Sequence, residues 1–412
     1  VRHRSGGAVI HMKDEVIILA GTGQPEAKPW EPFAEPVLKF LGQLSCEIRR
    51  SRQQYEEMAA FGFWCRRSHM EAFRKRYEDG RVRLGRGVIL HIPASNVPLL
   101  FAYSMVMGLL AGNSCAVRIS SRSQDQDRIM CSIMDGLLKH PDYTELRKRI
   151  SVFACNRDSS VITGLIAQCA GCVVWGGDRT IKEIRTLPMR SDAVQMGFPD
   201  RYSICILDTA HVCSLTDDEL KHLVRRFYND TYVLDQNACS SPVAVIWNQK
   251  SGSEAAEHIR ARWWNMVAEE SGDYHMTAHK ATVKYEQLCR YAMESQETVK
   301  VTRYGNRLYT IRLSCVPEHP DQLKGSFGLF FEYTGDWRKA VGRMATSRLQ
   351  TITYNGIKAQ EIEEHVVANH LFGVHRIVPV GQAADMDLIW DGQDFITVLS
   401  RQIGREVQDG AI

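Results

Sequence analysis

The feature that most constrains this chain is a run of short apolar segments alternating with amphipathic ones between residues 81 and 208. Val88–Ile92 and residues 115–120, 149–155, 171–177 and 201–208 have the length and β-branched content of buried strands. Between them, residues 97–111, 122–140, 158–169 and 179–187 read as helices, and Gly112–Asn113 stops the first of these. Strand–helix–strand alternation predicts a doubly wound, parallel α/β sheet. Ligands on such sheets lie beyond the carboxyl ends of the strands, which points to Ala94–Asn96, Ser120–Arg122 and Gly176–Gly177.

Residues 1–30 predict short strands, at GGAVIHM and at 15–20, and residues 31–80 predict helices with charged faces. After residue 209 a second α/β domain is expected, with helices at 217–229, 254–270, 280–294 and 336–348 and a strand at 243–247. The expected partition is an N-terminal region with a cofactor-binding domain over 1–208, a catalytic domain over 209–380, and a C-terminal segment over 381–412 that bridges or oligomerises. The length of 412 residues accommodates this.

A net charge of +3 argues against a dedicated nucleic-acid binder. No stretch of about 18 apolar residues is present, so no membrane span is expected. The basic start lacks an apolar signal core, and a cytoplasmic protein is expected. Twelve cysteines are scattered along the chain. Cys115, Cys131, Cys155, Cys205 and Cys213 read as small buried hydrophobes, and no disulfide framework is expected in a reducing compartment.

Four segments carry chemistry. DQNACSSP (235–242) places Cys239 among small and polar residues between a helix and an apolar strand. Backbone N–H groups in such a loop lower a thiol pKa and stabilise an oxyanion, although a polar turn with an incidental cysteine reads the same locally. HIPASNVP (91–98) stiffens a loop around Asn96, either an oxyanion donor or, with Ser95, a helix N-cap. VRISSRS (117–123) holds Arg118, Ser120, Ser121 and Arg122 with no carboxylate before Asp125. That set suits the 2′-phosphate of NADPH, or else makes a basic surface turn. VVWGGD (173–178) carries Gly176 and Gly177, which allow close backbone approach to a ligand or form a plain tight turn. No GxGxxG is present.

In this order the segments resemble the aldehyde dehydrogenase superfamily, and most closely its LuxC-type acyl-CoA reductases. The resemblance runs over roughly residues 85–400 and rests on GRGVILHIPASNVPLLFAYSMVMGLLAGNS, VVWGGDRTI, DQNACSSP, TITYNG and HRIVPVG…WDG. It implies an aldehyde-dehydrogenase-like fold, an acyl group carried on Cys239, and Asn96 at the oxyanion position. It also implies Arg118 at the adenosine ribose, Gly176–Gly177 beside the nicotinamide and pyrophosphate, and Phe327 at the nicotinamide ribose. Two departures are informative. Gln195 stands where aldehyde oxidisers have the glutamate that activates water, and glutamine is no general base. Gly325 stands where the superfamily has a ribose-binding glutamate.

The implied reaction is NADPH-dependent reduction of an acyl-CoA to an aldehyde, in a homo-oligomer served by an acyl-protein synthetase. The alternatives are a non-reducing acyl carrier or scaffold, and an aldehyde dehydrogenase that forms free acid. Other signals read as structural: Cys169–Cys172 lacks a second ligand pair, His275 and His279 lack the intervening glutamate of a metal helix, and Trp263–Trp264 read as packing. Asp235 either orients the cysteine loop or forms a turn.

Overall fold

A computed structural model describes residues 16–51, 55–120, 124–156, 159–249, 254–294 and 297–404. The expected strand at GGAVIHM, and Ser121 and Arg122, lie outside the described residues. The chain divides into two compact units, Val1–Pro199 with Gln393–Ile412, and Asp200–Gly392.

In the first unit β1 (Ile17–Gly21), β2 (Val82–Gly85), β3 (Val88–Ile92), β4 (Ser114–Ile119), β5 (Ile150–Ala154), β6 (Gly171–Trp175) and β7 (Val194–Phe198) follow in chain order. Six of them form a sheet in the order β1-β5-β4-β3-β6-β7. All neighbours are parallel except the antiparallel edge pair of β1 and β5. The chain winds outward from β3 through β4 to β5 and then returns to the other side of β3 for β6, so the switch point lies between β3 and β6. The Leu100–Leu110 helix is apolar on every side and correspondingly buried almost throughout. The segment from Gln393 returns to this unit: Ser400–Ile403 pairs antiparallel with β2, and Phe395 stacks on Phe198, with ring centroids 5.3 Å apart.

The second unit holds β8 (Tyr202–Asp208), β9 (Pro242–Asn248), β10 (Thr298–Tyr304), β11 (Leu308–Leu313), β12 (Leu329–Gly335), β13 (Leu349–Asn355) and β14 (Arg376–Pro379), in the order β10-β11-β12-β9-β8-β13-β14. Only the β10–β11 pair is antiparallel. Each face of the sheet carries its own apolar core, one around Ile204, Ile246, Phe331 and Trp337, the other around Phe227, Trp247, Trp263 and Trp264.

Three sequence expectations change. Residues 201–208 are expected in the first domain, but β8 pairs with β9 and β13 in the second sheet. Alternation alone does not say which sheet a strand joins. The segment 381–412 is not one piece, since residues to Gly392 belong to the second unit and those from Gln393 to the first. Cys213 is exposed, because it sits on the outer side of the short Thr209–Ser214 helix whose inner side is Val212. Cys115, Cys131, Cys155 and Cys205 are buried.

Candidate active site

Cys239 sits just before β9, and the second sheet decides its surroundings. β8, β9, β12 and β13 are mutually parallel, so their amino ends share one edge. The polar residues preceding each strand therefore converge: Asp200–Arg201 before β8, Asn237–Ser241 before β9, Gly325–Phe327 before β12 and Arg348 before β13. They line a cavity of about 340 Å³ together with His279, Val283 and Gln287 of the Ala278–Glu294 helix.

The loop carrying Cys239 is held in an unusual conformation. The Asp217–Thr231 helix begins with a capping box between Thr216 and Glu219 and runs into a turn where Asp235 and Gln236 both have positive φ, +55° and +58°. Left-handed backbone at two successive non-glycine residues is costly and persists only when its surroundings fix it. Here they do. The Asp235 carboxylate accepts from the Tyr274 hydroxyl at 2.5 Å and from Lys280 Nζ at 2.7 Å. The Gln236 amide donates to the Pro242 and Leu329 carbonyls at 3.1 and 3.0 Å and accepts from the Gly328 N–H at 3.1 Å. The Cys239 carbonyl accepts from the Ser203 hydroxyl at 2.7 Å. Asp235 thus forms the turn and also orients the loop.

Phe327 enters the same cavity with φ +54°, and its N–H donates to the Asp235 carbonyl at 3.1 Å. The next residue has φ +84°, and a Cβ there would lie 2.1 Å from the Arg307 carbonyl oxygen, so only glycine fits at Gly328. The Phe327 carbonyl accepts from Lys284 Nζ at 2.9 Å.

The thiol does not behave as the loop sequence predicts. Burial pushes Cys239 up to about 11, outweighing a hydrogen bond from the Arg201 backbone N–H and the Arg201 charge, and Asp391 and Asp200 push the same way as burial. The backbone donor is present, but desolvation is larger.

In the first unit, the carboxyl ends of the adjacent strands β4, β3 and β6 share an edge, and the sequence-predicted residues gather there. Asn96 lies exposed in the turn after β3. It does not cap the following helix, and neither does Ser95. The N-cap is Leu99, at φ +59°, whose N–H donates to the buried Asp127 carboxylate at 2.9 Å. Arg118 closes β4 with one guanidinium nitrogen donating to the Cys155 carbonyl at 3.2 Å, while its Nε is buried without a partner among the described residues. Ser120 follows directly. Gly176 and Gly177 follow β6, and Gly177 is the N-cap of the Asp178–Arg185 helix. Gln195 lies on β7, its side-chain nitrogen buried without a partner among the described residues.

Sequence reasoning missed Arg201, Arg348 and Lys324, and it set His279 aside as a surface residue. A usable signal was present: each of the four segments places polar residues directly before an apolar strand, as DQNACSSP does.

The family model described as acyl-CoA reductase (LuxC) matches residues 51–402. Long-chain acyl-protein thioester reductase 2 of Photobacterium leiognathi is 28% identical over 168 residues, which is 40% of this chain. The match spans about a third of that relative, 32%. Among solved structures, 1-pyrroline-5-carboxylate dehydrogenase of Thermus thermophilus superposes with a TM-score of 0.61 at 11% identity, covering 91% of this chain and 82% of the other. Aldehyde dehydrogenase 21 of Physcomitrella patens gives 0.60 at 10% identity, covering 89% and 85%. At these identities the likeness establishes the fold, which is that of the aldehyde dehydrogenases.

Proposed function

We propose, for a chain that belongs to the acyl-CoA reductase (LuxC) family, that Cys239 takes an acyl group from a thioester and that the acyl-enzyme is reduced to an aldehyde. The observation that carries this reading is the placement of Cys239 in a polar-lined cavity on a loop whose strained backbone is hydrogen-bonded at every turn. The Cys239 thiolate attacks the acyl carbon, and the carbon–sulfur bond to the donor breaks. The donor leaves as a thiolate and takes up a proton. The thioester so formed accepts hydride far more readily than a carboxylate does. Asn96 is assigned as donor to the oxyanion on the strength of the family resemblance. Gln195 cannot draw a proton from water, so release as free acid is disfavoured.

The residues at the carboxyl edge of the first sheet fit a nicotinamide dinucleotide. Arg118, on β4 one strand from the switch point, keeps a buried Nε without a partner among the described residues, close in sequence to Ser120. When bound, that cofactor supplies the hydride. Arg118 and Ser120, with Ser121, are assigned to the 2′-phosphate, which selects NADPH over NADH. Gly176 and Gly177 let the backbone approach the cofactor, and Phe327 is assigned to its nicotinamide end. The acyl donor is acyl-CoA or an acylated partner protein; the name of the Photobacterium relative supports the second source.

The test is aldehyde formation, trapped as a hydrazone, from acyl-CoA and NADPH by the wild type and Cys239→Ala. The reading predicts aldehyde only with wild type, and little free acid. If neither NADPH nor NADH binds at saturating concentration, the chain carries acyl groups without reducing them and the reading fails.

A further inference from the structure

Burial raises the Cys239 thiol, so the charges beside it decide how readily the thiolate forms. The charges that bear on the sulfur are Arg201, which favours the anion, and Asp391 and Asp200, which oppose it. Three further charged side chains, Asp321, Lys324 and Arg348, and the imidazole of His279 line the same cavity.

Arg201 differs from the other cations in how it is held. It lines the cavity together with Cys239, and both its backbone N–H and its charge favour the thiolate. Its side chain is only 15% exposed, and its guanidinium donates to the Ser347 carbonyl and lies with Nε 3.5 Å from an Asp391 oxygen. The Asp391 side chain is 1% exposed. It accepts from Gln350 Nε2 at 2.5 Å and stands at φ +50°, directly before Gly392. His375 abuts Gly392 and feels both charges of the pair. Lys324, by contrast, is exposed at the rim. This arrangement also gives a role to the WDG segment.

We infer that the Arg201–Asp391 ion pair is the electrostatic control of Cys239: Arg201 holds the thiolate, and Asp391 fixes Arg201 while restraining its effect. The inference rests on the reading of Cys239 as the acylated nucleophile. A buried pair of this kind exerts both of its charges on a third group in low dielectric. The two partners therefore have opposite effects when neutralised singly, which loss of structure does not produce.

The experiment is iodoacetamide alkylation of the full chain across pH 7–10.5, with the Cys239 peptide quantified by mass spectrometry and the exposed Cys213 peptide as internal control. Arg201→Gln is expected to slow Cys239 alkylation roughly tenfold at fixed pH, equivalent to a rise of about one pKa unit. Arg201→Lys restores most of the rate. Asp391→Asn, which suits left-handed backbone and can still accept from Gln350, speeds Cys239 alkylation several-fold. The Cys213 rate stays constant throughout, which reports an intact fold. Equal profiles in all variants, changes of the same sign in Arg201→Gln and Asp391→Asn, or a shift caused instead by His279→Asn overturns the inference. Alkylation needs no acyl donor and no cofactor, so this result is independent of whether Cys239 becomes acylated.

Discussion

The side chain of Gln236 accepts a hydrogen bond from the Gly328 N–H at 3.1 Å and so ties the loop of Cys239 to the loop of Phe327. Its nitrogen adds bonds to the Pro242 and Leu329 carbonyls, so one buried amide bonds three backbone groups. The loops of Cys239 and Phe327 are in this way set by a single residue.

Replacing that amide removes three buried hydrogen bonds at the base of the two loops. Gln236→Leu is expected to lower unfolding free energy by about 2–4 kcal/mol. Urea denaturation measures it, and a change under about 0.5 kcal/mol, the range of ordinary surface substitutions, would mean the amide does not hold the two loops together.

Lys284 supplies a pH dependence. Burial, aided by the charge of Arg303, lowers its ammonium to about 7 from 10.5 in the unfolded chain. It is fully buried and donates to the carbonyls of Asn306 and Phe327. Between pH 7 and 10.5 the unfolded chain holds the extra proton and the native state does not. Stability therefore rises with pH in that window and loses this contribution as pH falls through 7. Lys284→Met is expected to flatten the pH dependence of unfolding free energy by up to about 1.4 kcal/mol per pH unit. Parallel wild-type and variant curves between pH 7 and 9 would contradict this assignment.

In the proposed function, Arg118 is assigned the choice of cofactor. Removing a charge-assisted contact to a 2′-phosphate costs about 1.5–3 kcal/mol, roughly ten- to a hundredfold in affinity. Arg118→Gln is thus expected to weaken NADPH by that factor and to leave NADH little changed. Fluorescence titration with both cofactors separates the two, and equal losses would place Arg118 away from the 2′-phosphate.

The local pattern revealed much of this chain. Val88–Ile92 is a strand with the bounds its residues suggested, because a short β-branched run between turn signals has few alternatives. The same reading brought Asn96, Arg118, Ser120 and Gly176–Gly177 to one sheet edge, since parallel order follows from helical crossovers. What stayed hidden depends on contacts distant in sequence. β7 contains Gly197 and alternates weakly, and its place at the sheet edge comes from pairing with β6. Leu99 takes left-handed backbone with its N–H bonded to Asp127, 28 positions away, and local sequence favours Ser95 or Asn96 as the cap instead. Arg201 and Asp391 are 190 positions apart and meet only in the folded chain.

The central claim is that Cys239 carries the acyl group, and intact-mass analysis after incubation with a panel of acyl-CoAs tests it most directly. The account predicts one acyl adduct per wild-type chain, mapped to the Cys239 peptide and absent from Cys239→Ala. An adduct that persists in Cys239→Ala, or that maps to another of the twelve cysteines, would contradict it.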